Sequence, residues 1–106
     1  QEIEDDQYHP AETDFFDDLV IGVTSRLEEI DELVESKLAS GWTLGRIDKT
    51  MLQILRAGTF ELVAQEEVPV ATVIDEYLDV AHAFFNKKDA GFVNGLLDSI
   101  AKQVRG

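Results

Sequence analysis

The stretch Asp48-Lys49-Thr50-Met51-Leu52-Gln53-Ile54-Leu55-Arg56-Ala57-Gly58-Thr59-Phe60-Glu61-Leu62-Val63-Ala64 decides the fold. With Leu44 and Ile47 just before it, its apolar positions Met51, Ile54, Leu55, Gly58 and Leu62 recur in steps of three and four, the period of a helix buried along one stripe. Asp48 can restart the helix after a short first turn over Thr43 to Ile47. The segment reads as a central helix, and its neighbours must be elements able to cover it.

Outward towards the carboxy terminus, Glu66-Glu67-Val68-Pro69 reads as a turn, because the residue before proline is pushed out of helical geometry while proline suits a helix start. Val73, Ile74, Tyr77, Leu78, Ala81 and Phe84 then mark a helix to about Phe85. Asn86-Lys87-Lys88-Asp89-Ala90-Gly91 reads as a polar loop, and Phe92, Val93, Leu96, Leu97, Ile100 and Val104 mark the last helix. Towards the amino terminus, Gly41 suits the left-handed position just past a helix end, and Trp42 opens the next unit. Phe16, Leu19, Val20, Val23, Leu27, Ile30, Leu33, Val34 and Leu38 form one more stripe, capped at Thr13 or Asp14. Ser25 with Glu28 could form a capping box inside it, so this stripe is either one long helix or two shorter ones.

The fold class is therefore all-α. One domain fits a chain of 106 residues with 44% hydrophobic content. Residues 1–12 are acidic, broken by Pro10 and without core positions, and read as an exposed tail or linker; residues 13–106 form the helical domain. The absence of cysteine excludes a disulfide framework and thiolate metal sites. No apolar run approaches the roughly 20 residues that span a bilayer, and no basic leader precedes the acidic start, so a cytoplasmic location is expected.

The net charge of -13 opposes binding of a polyanion, since phosphate contacts rest on lysine and arginine. Its distribution changes that conclusion. Residues 1–40 hold 13 acids and 2 bases, whereas 41–106 hold 9 acids and 7 bases, so the repulsion is concentrated at one end.

Catalytic chemistry finds little footing. Asp79 and His82 stand one helical turn apart, but a carboxylate-bridged metal site needs such a pair on two helices, and the other histidine, His9, lies in the tail. No Gly-x-Ser-x-Gly elbow, serine-histidine pairing or glycine-rich phosphate loop occurs. The expectation is no enzyme, no cofactor, no metal and no membrane.

Lys87, Lys88, Phe92 and Asn94 are more informative, because two bases, an aromatic ring and an amide around one helix start can hold single-stranded nucleic acid. The bases meet phosphate, the ring stacks on a splayed base and the amide reads a base edge. The ordinary alternative has Phe92 in the core, Asn94 bonded to backbone and Gly95 allowing close helix contact. Arg56 and Glu61 share the central helix at i, i+5, poor spacing for a direct pair, so each is expected to bond another helix or a partner.

Trp42-Thr43-Leu44-Gly45-Arg46-Ile47-Asp48, Ile54-Leu55-Arg56-Ala57-Gly58-Thr59-Phe60-Glu61-Leu62, Val68-Pro69, Val73-Ile74-Asp75-Glu76-Tyr77 and Phe92-Val93-Asn94-Gly95-Leu96-Leu97-Asp98 follow one another in order. Together they resemble the NusB family over about residues 14–105, in its alphaproteobacterial branch. The resemblance implies a NusB-like bundle, here about five of the family's seven helices. It implies an adaptor that pairs with the ribosomal protein NusE, binds boxA-type single-stranded RNA and acts on the transcription elongation complex. It places RNA contacts at Phe92 and Asn94, to which the charge argument adds Lys87 and Lys88; Arg56 and Glu61 match family positions with a mainly structural role.

Nothing in the chain matches the arginine-rich opening helix of the family. The stripe from Phe16 onward is then left partly bare, so either preceding helices cover it or the fragment self-associates. Two other readings stand beside the adaptor with RNA: the NusB-like domain of a ribosomal RNA cytosine methyltransferase, and an adaptor for proteins alone.

Overall fold

The computed structural model describes residues 10–106, with side chains from Asp17 onward. Most of the acidic tail, with His9, therefore lies outside the described residues, as do the side chains of Thr13, Asp14 and Phe16. The described residues form five α-helices and one 3₁₀ turn: α1 Pro10–Ser25, α2 Leu27–Ser36, the turn Leu44–Arg46, α3 Lys49–Ala64, α4 Val70–Phe84 and α5 Lys87–Val104. The all-α expectation and the five-helix count hold. Among the described residues the first helix already includes Pro10, ahead of the Thr13 or Asp14 cap that the sequence suggested.

α3 packs against each of the other four helices. Asp48 caps it, its Oδ1 accepting from the Thr50 and Met51 N–H groups at 3.1 and 3.4 Å. Leu55 and Leu62 on α3 are wholly buried, with Ile30 and Val34 of α2 and Leu97 and Ile100 of α5. Glycine sets the approach at two crossings. A Cβ on Gly58 would come within 3.1 Å of both Leu97 methyl carbons, and one on Gly22 would overlap the Phe60 ring, so α1 lies close on α3 only because Gly22 has no side chain.

The amino-terminal stripe divides into two helices at Arg26, although the Arg26 N–H still reaches Gly22 O and the Ile30 N–H reaches Arg26 O. Ser25 does not cap α2 as the capping-box reading had it. Its hydroxyl turns back to Gly22 O at 3.2 Å, a local bond that competes with the helix and bends it. Leu19 and Val23 pack on the core, while Val20 and Ile21 face solvent.

α2 ends at Ser36, four residues before Ser40. Gly41, with φ +89°, does not follow the helix directly but occupies the third position of a turn closed by the Trp42 N–H on Ala39 O at 3.0 Å. A positive φ at that position is what a type II turn requires. Trp42 is thereby delivered to the surface, half exposed.

α3 ends in a lock that nothing local announces. Arg105, one residue past α5, donates to the carbonyl oxygens of Leu62 at 2.9 Å, Gln65 at 2.8 Å, Glu61 at 3.2 Å, and Val68. Helix carbonyls at a carboxy terminus have no partner within the helix, and a guanidinium suits both their geometry and the negative end of the dipole. Arg105→Ala should lower unfolding stability by about 2–3 kcal/mol in a denaturant titration, and Arg105→Lys should recover only part, because an ammonium cannot span several carbonyls as a planar fork does.

Candidate nucleic-acid interface

α5 begins at Lys87, so Lys87, Lys88, Asp89, Ala90 and Gly91 are its first turns and not a polar loop. The cause is the Asn86 side chain, whose Oδ1 accepts from the Asp89 N–H at 2.8 Å and caps the helix. Two lysines in a first turn sit at the positive end of a helix dipole, a position that disfavours cations. Neither forms an ion pair among the described residues, so nothing described offsets that cost.

The helix divides the four sequence-derived candidates into two pairs. At 3.6 residues per turn Lys88 and Phe92 share one flank, and Lys87 and Asn94 share another about 120° away. All four are exposed, Phe92 at 40%. Phe92 is thus not a core ring, and the Asn94 amide makes no hydrogen bond within the described residues. Between the pairs run Gly91 and Gly95, also exposed, where an added Cβ would meet nothing within 4 Å. Gly95 does not serve a close helix contact, so its place in a helix costs stability without a packing return.

Lys88 and Phe92 open onto a groove of about 550 Å³ between the α2–α3 connection and the α4–α5 junction. Leu38, Ile47, Met51 and Phe85 form its apolar lining. Trp42 and Arg46 stand in its wall opposite α5, and Asp48 and Asp89 also border it. The sequence reading used Trp42 as the opening of a unit, and Trp42 and Arg46 as part of a family motif, without a role for either at a site. Their meeting with Phe92 and Lys88 depends on the Ala39–Trp42 turn, which brings together residues about fifty positions apart. A second correction concerns Phe84, read as buried: it is 64% exposed, and Phe85 lines the groove instead.

Arg56 and Glu61 lie away from this groove, and each bonds a neighbouring helix as their spacing implied. Arg56 grips Asp31 of α2 with two parallel bonds, Nε to Oδ1 at 2.8 Å and Nη2 to Oδ2 at 2.9 Å. The planar fork matches the carboxylate edge and ties α2 to α3. Glu61 is buried and accepts from the Tyr77 hydroxyl at 2.8 Å. Burial raises the Glu61 pKa; the Tyr77 hydrogen bond opposes that shift, and the nearby Glu76 charge adds to it. Tyr77 is raised in turn, first by burial and then by its bond to Glu61. Asp79 and His82 sit exposed on α4.

A model of the NusB family matches residues 1–102. The chain belongs to the NusB family. It is 61% identical over 104 residues to the transcription antitermination protein NusB of Novosphingobium aromaticivorans, covering 98% of this chain and 70% of that one. With the protein of the same name from Sphingopyxis alaskensis it shares 57% over 103 residues, covering 97% and 69%. The T. maritima NusB structure superposes with a TM-score of 0.81 at 30% identity, over 94% of this chain and 69% of that one. The all-helical bundle is therefore the NusB fold, and no helix among the described residues is long and apolar enough to cross a membrane.

Two outcomes follow for these side chains. Because the folded pKa of Glu61 is raised, the folded state binds its proton more tightly than the unfolded state. The resulting stability is present below the unfolded pKa and is lost as pH rises through the folded value. Glu61→Gln should therefore match or exceed the parent in thermal stability at neutral pH, and the difference should shrink as pH falls towards 4.5, the ordinary carboxyl value. Gly91→Ala and Gly95→Ala should each raise stability by about 0.5–1 kcal/mol in denaturant melts, since each added methyl enters open space. A loss at either position would show that this stripe is packed against something.

Proposed function

We propose that this chain is the helical core of a transcription antitermination adaptor, which pairs with the ribosomal protein NusE and holds boxA-type single-stranded RNA in the cytoplasmic transcription elongation complex. The observation that carries the RNA part is the convergence of Lys88 and Phe92 on one aromatic-walled groove, in the part of the chain that the acidic excess spares. Its relatives' name, transcription antitermination protein, carries the wider role. That name, which is not a methyltransferase's, favours the adaptor over the domain of a methyltransferase.

In this reading Lys87 and Lys88 neutralise phosphates, Phe92 offers its ring to a base and Asn94 its amide to a base edge or phosphate. No step transfers a group or a proton, so the protein acts by binding alone. Arg56 and Glu61 act indirectly. The Arg56–Asp31 pair fixes α2 and the connection that follows it, while Tyr77 and Glu61 fix α4 against α3.

The test is binding of labelled boxA RNA by the protein assembled with NusE, against a scrambled RNA at moderate salt. A preference for boxA is expected. Reversal of Lys87 and Lys88 to Glu should weaken binding about tenfold or more and lower the slope of log affinity against log salt by about 2. Equal binding of boxA and scrambled RNA would sink the reading. Unchanged affinity of the double variant would leave an adaptor for proteins alone.

A further inference from the structure

We propose that the groove between the α2–α3 connection and α5 is a subsite for one unstacked RNA base, with Trp42 as its stacking platform and Arg46 as a phosphate contact facing Lys88; this rests on the RNA reading above.

Four observations converge on that occupant. First, the groove offers two aromatic faces from separate elements, Trp42 at 51% exposure and Phe92 at 40%. Trp42 and Phe92 line the same groove without being in ring-to-ring contact. An indole left half in water is an unfavourable use of the largest apolar side chain, and stacking on a base would remove that exposure.

Second, the space is sufficient. About 550 Å³ lies within the range of about 300–1,000 Å³ that encloses small organic ligands, so a base and part of its sugar fit.

Third, the groove's border is formally neutral, two cations and two carboxylates, but the carboxylates are engaged by helix starts and the cations are not paired. The Asp48 carboxylate is committed to the Thr50 and Met51 N–H groups, and Asp89 lies in the first turn of α5, where the helix dipole offsets its charge. Arg46 and Lys88 form no ion pair among the described residues. Two uncommitted cations flanking an apolar cleft are complementary to a base with its phosphates. An apolar peptide side chain would fill the floor and leave both cations unused.

Fourth, two backbone features place the groove's lining residues. The type II turn at Gly41 lifts Trp42 to the surface, and the Asn86 cap starts α5 early enough to put Lys88 and Phe92 on the same flank.

Trp42 is the one tryptophan of the chain, so its fluorescence reports the cleft directly. The complex with NusE is titrated with boxA RNA while the indole signal is followed, taken as the difference from a Trp42→Phe complex, and RNA affinity is measured in parallel by anisotropy. Expected are quenching that saturates with RNA binding, a loss of about tenfold in affinity for Trp42→Ala, and near-parental affinity for Trp42→Phe. Arg46→Glu, at an exposed position that cannot unfold the core, should weaken binding and lower the salt slope by more than 1. If Trp42→Ala and Arg46→Glu bind as the parent does while the Lys87 and Lys88 reversal still weakens binding, the base subsite is refuted and the RNA reading survives. Quenching by NusE without RNA would assign the groove to a protein segment and overturn the proposal. Failure of the parent complex to prefer boxA would remove both.

Discussion

Packing of α3 against four other helices takes Arg56 partly and Glu61 almost wholly out of solvent, and much of the architecture answers that constraint. An unpartnered charge inside a low-dielectric core costs several kcal/mol, so Arg56 and Glu61 are tolerable there only with partners fixed in place. Asp31 reaches in from α2 and Tyr77 from α4. The carboxy-terminal carbonyls of the same helix raise the same problem, and Arg105 answers it from the far end of α5. Each of these bonds satisfies a group on α3 and, in doing so, sets the position of another helix. Specification of the bundle is therefore partly polar, although its free energy comes mainly from the apolar core.

The groove is a consequence of that arrangement. With α2 tied to α3 through Asp31 and α4 tied through Tyr77, residues of the connection between α2 and α3 line one groove with residues of the α4–α5 junction. A helical continuation would have carried Trp42 along α2. The positive φ of Gly41 instead turns the chain, and the 3₁₀ turn that follows sets Arg46 beside it. The result places side chains that precede α3 and side chains at the start of α5 around one groove.

How much of this was readable follows from which interactions are local. The start of α3 at Asp48 and the start of α4 after Val68-Pro69 depend on a capping carboxylate and on proline stereochemistry, both written within a few residues, and both were readable. Asn86 with Asp89 carried a cap signal of the same kind, but the run of polar residues between them reads equally as a loop, and the early start of α5 was missed. Ser25 failed in the opposite sense, because a hydroxyl can bond forward as a cap or back to a carbonyl, and local sequence does not choose. Phe84 and Phe85 are neighbours at a helix end, where helical period no longer decides which ring turns inward. Arg105 and the encounter of Trp42 with Phe92 rest on contacts across forty to fifty residues, for which one sequence has no local marker. Lys87, Lys88, Phe92 and Asn94 were picked for residue type. That choice found a surface, but the helix separates them into two flanks with a glycine stripe between.

The net charge of -13 then has a spatial meaning. Thirteen of the 22 acids lie before residue 41, and in α2 the acids Glu28, Glu29, Glu32 and Glu35 are exposed. At physiological ionic strength the Debye length is about 8 Å, so charges farther than that from the groove are largely screened from it. The charge bordering the groove comes from Arg46 and Lys88, with the Asp48 and Asp89 carboxylates engaged by helix starts. The acidic remainder acts at longer range and against nonspecific polyanions. In the proposed RNA reading it would slow encounter with any polyanion and so favour RNA that can use the groove's aromatic side chains over RNA held by phosphates alone.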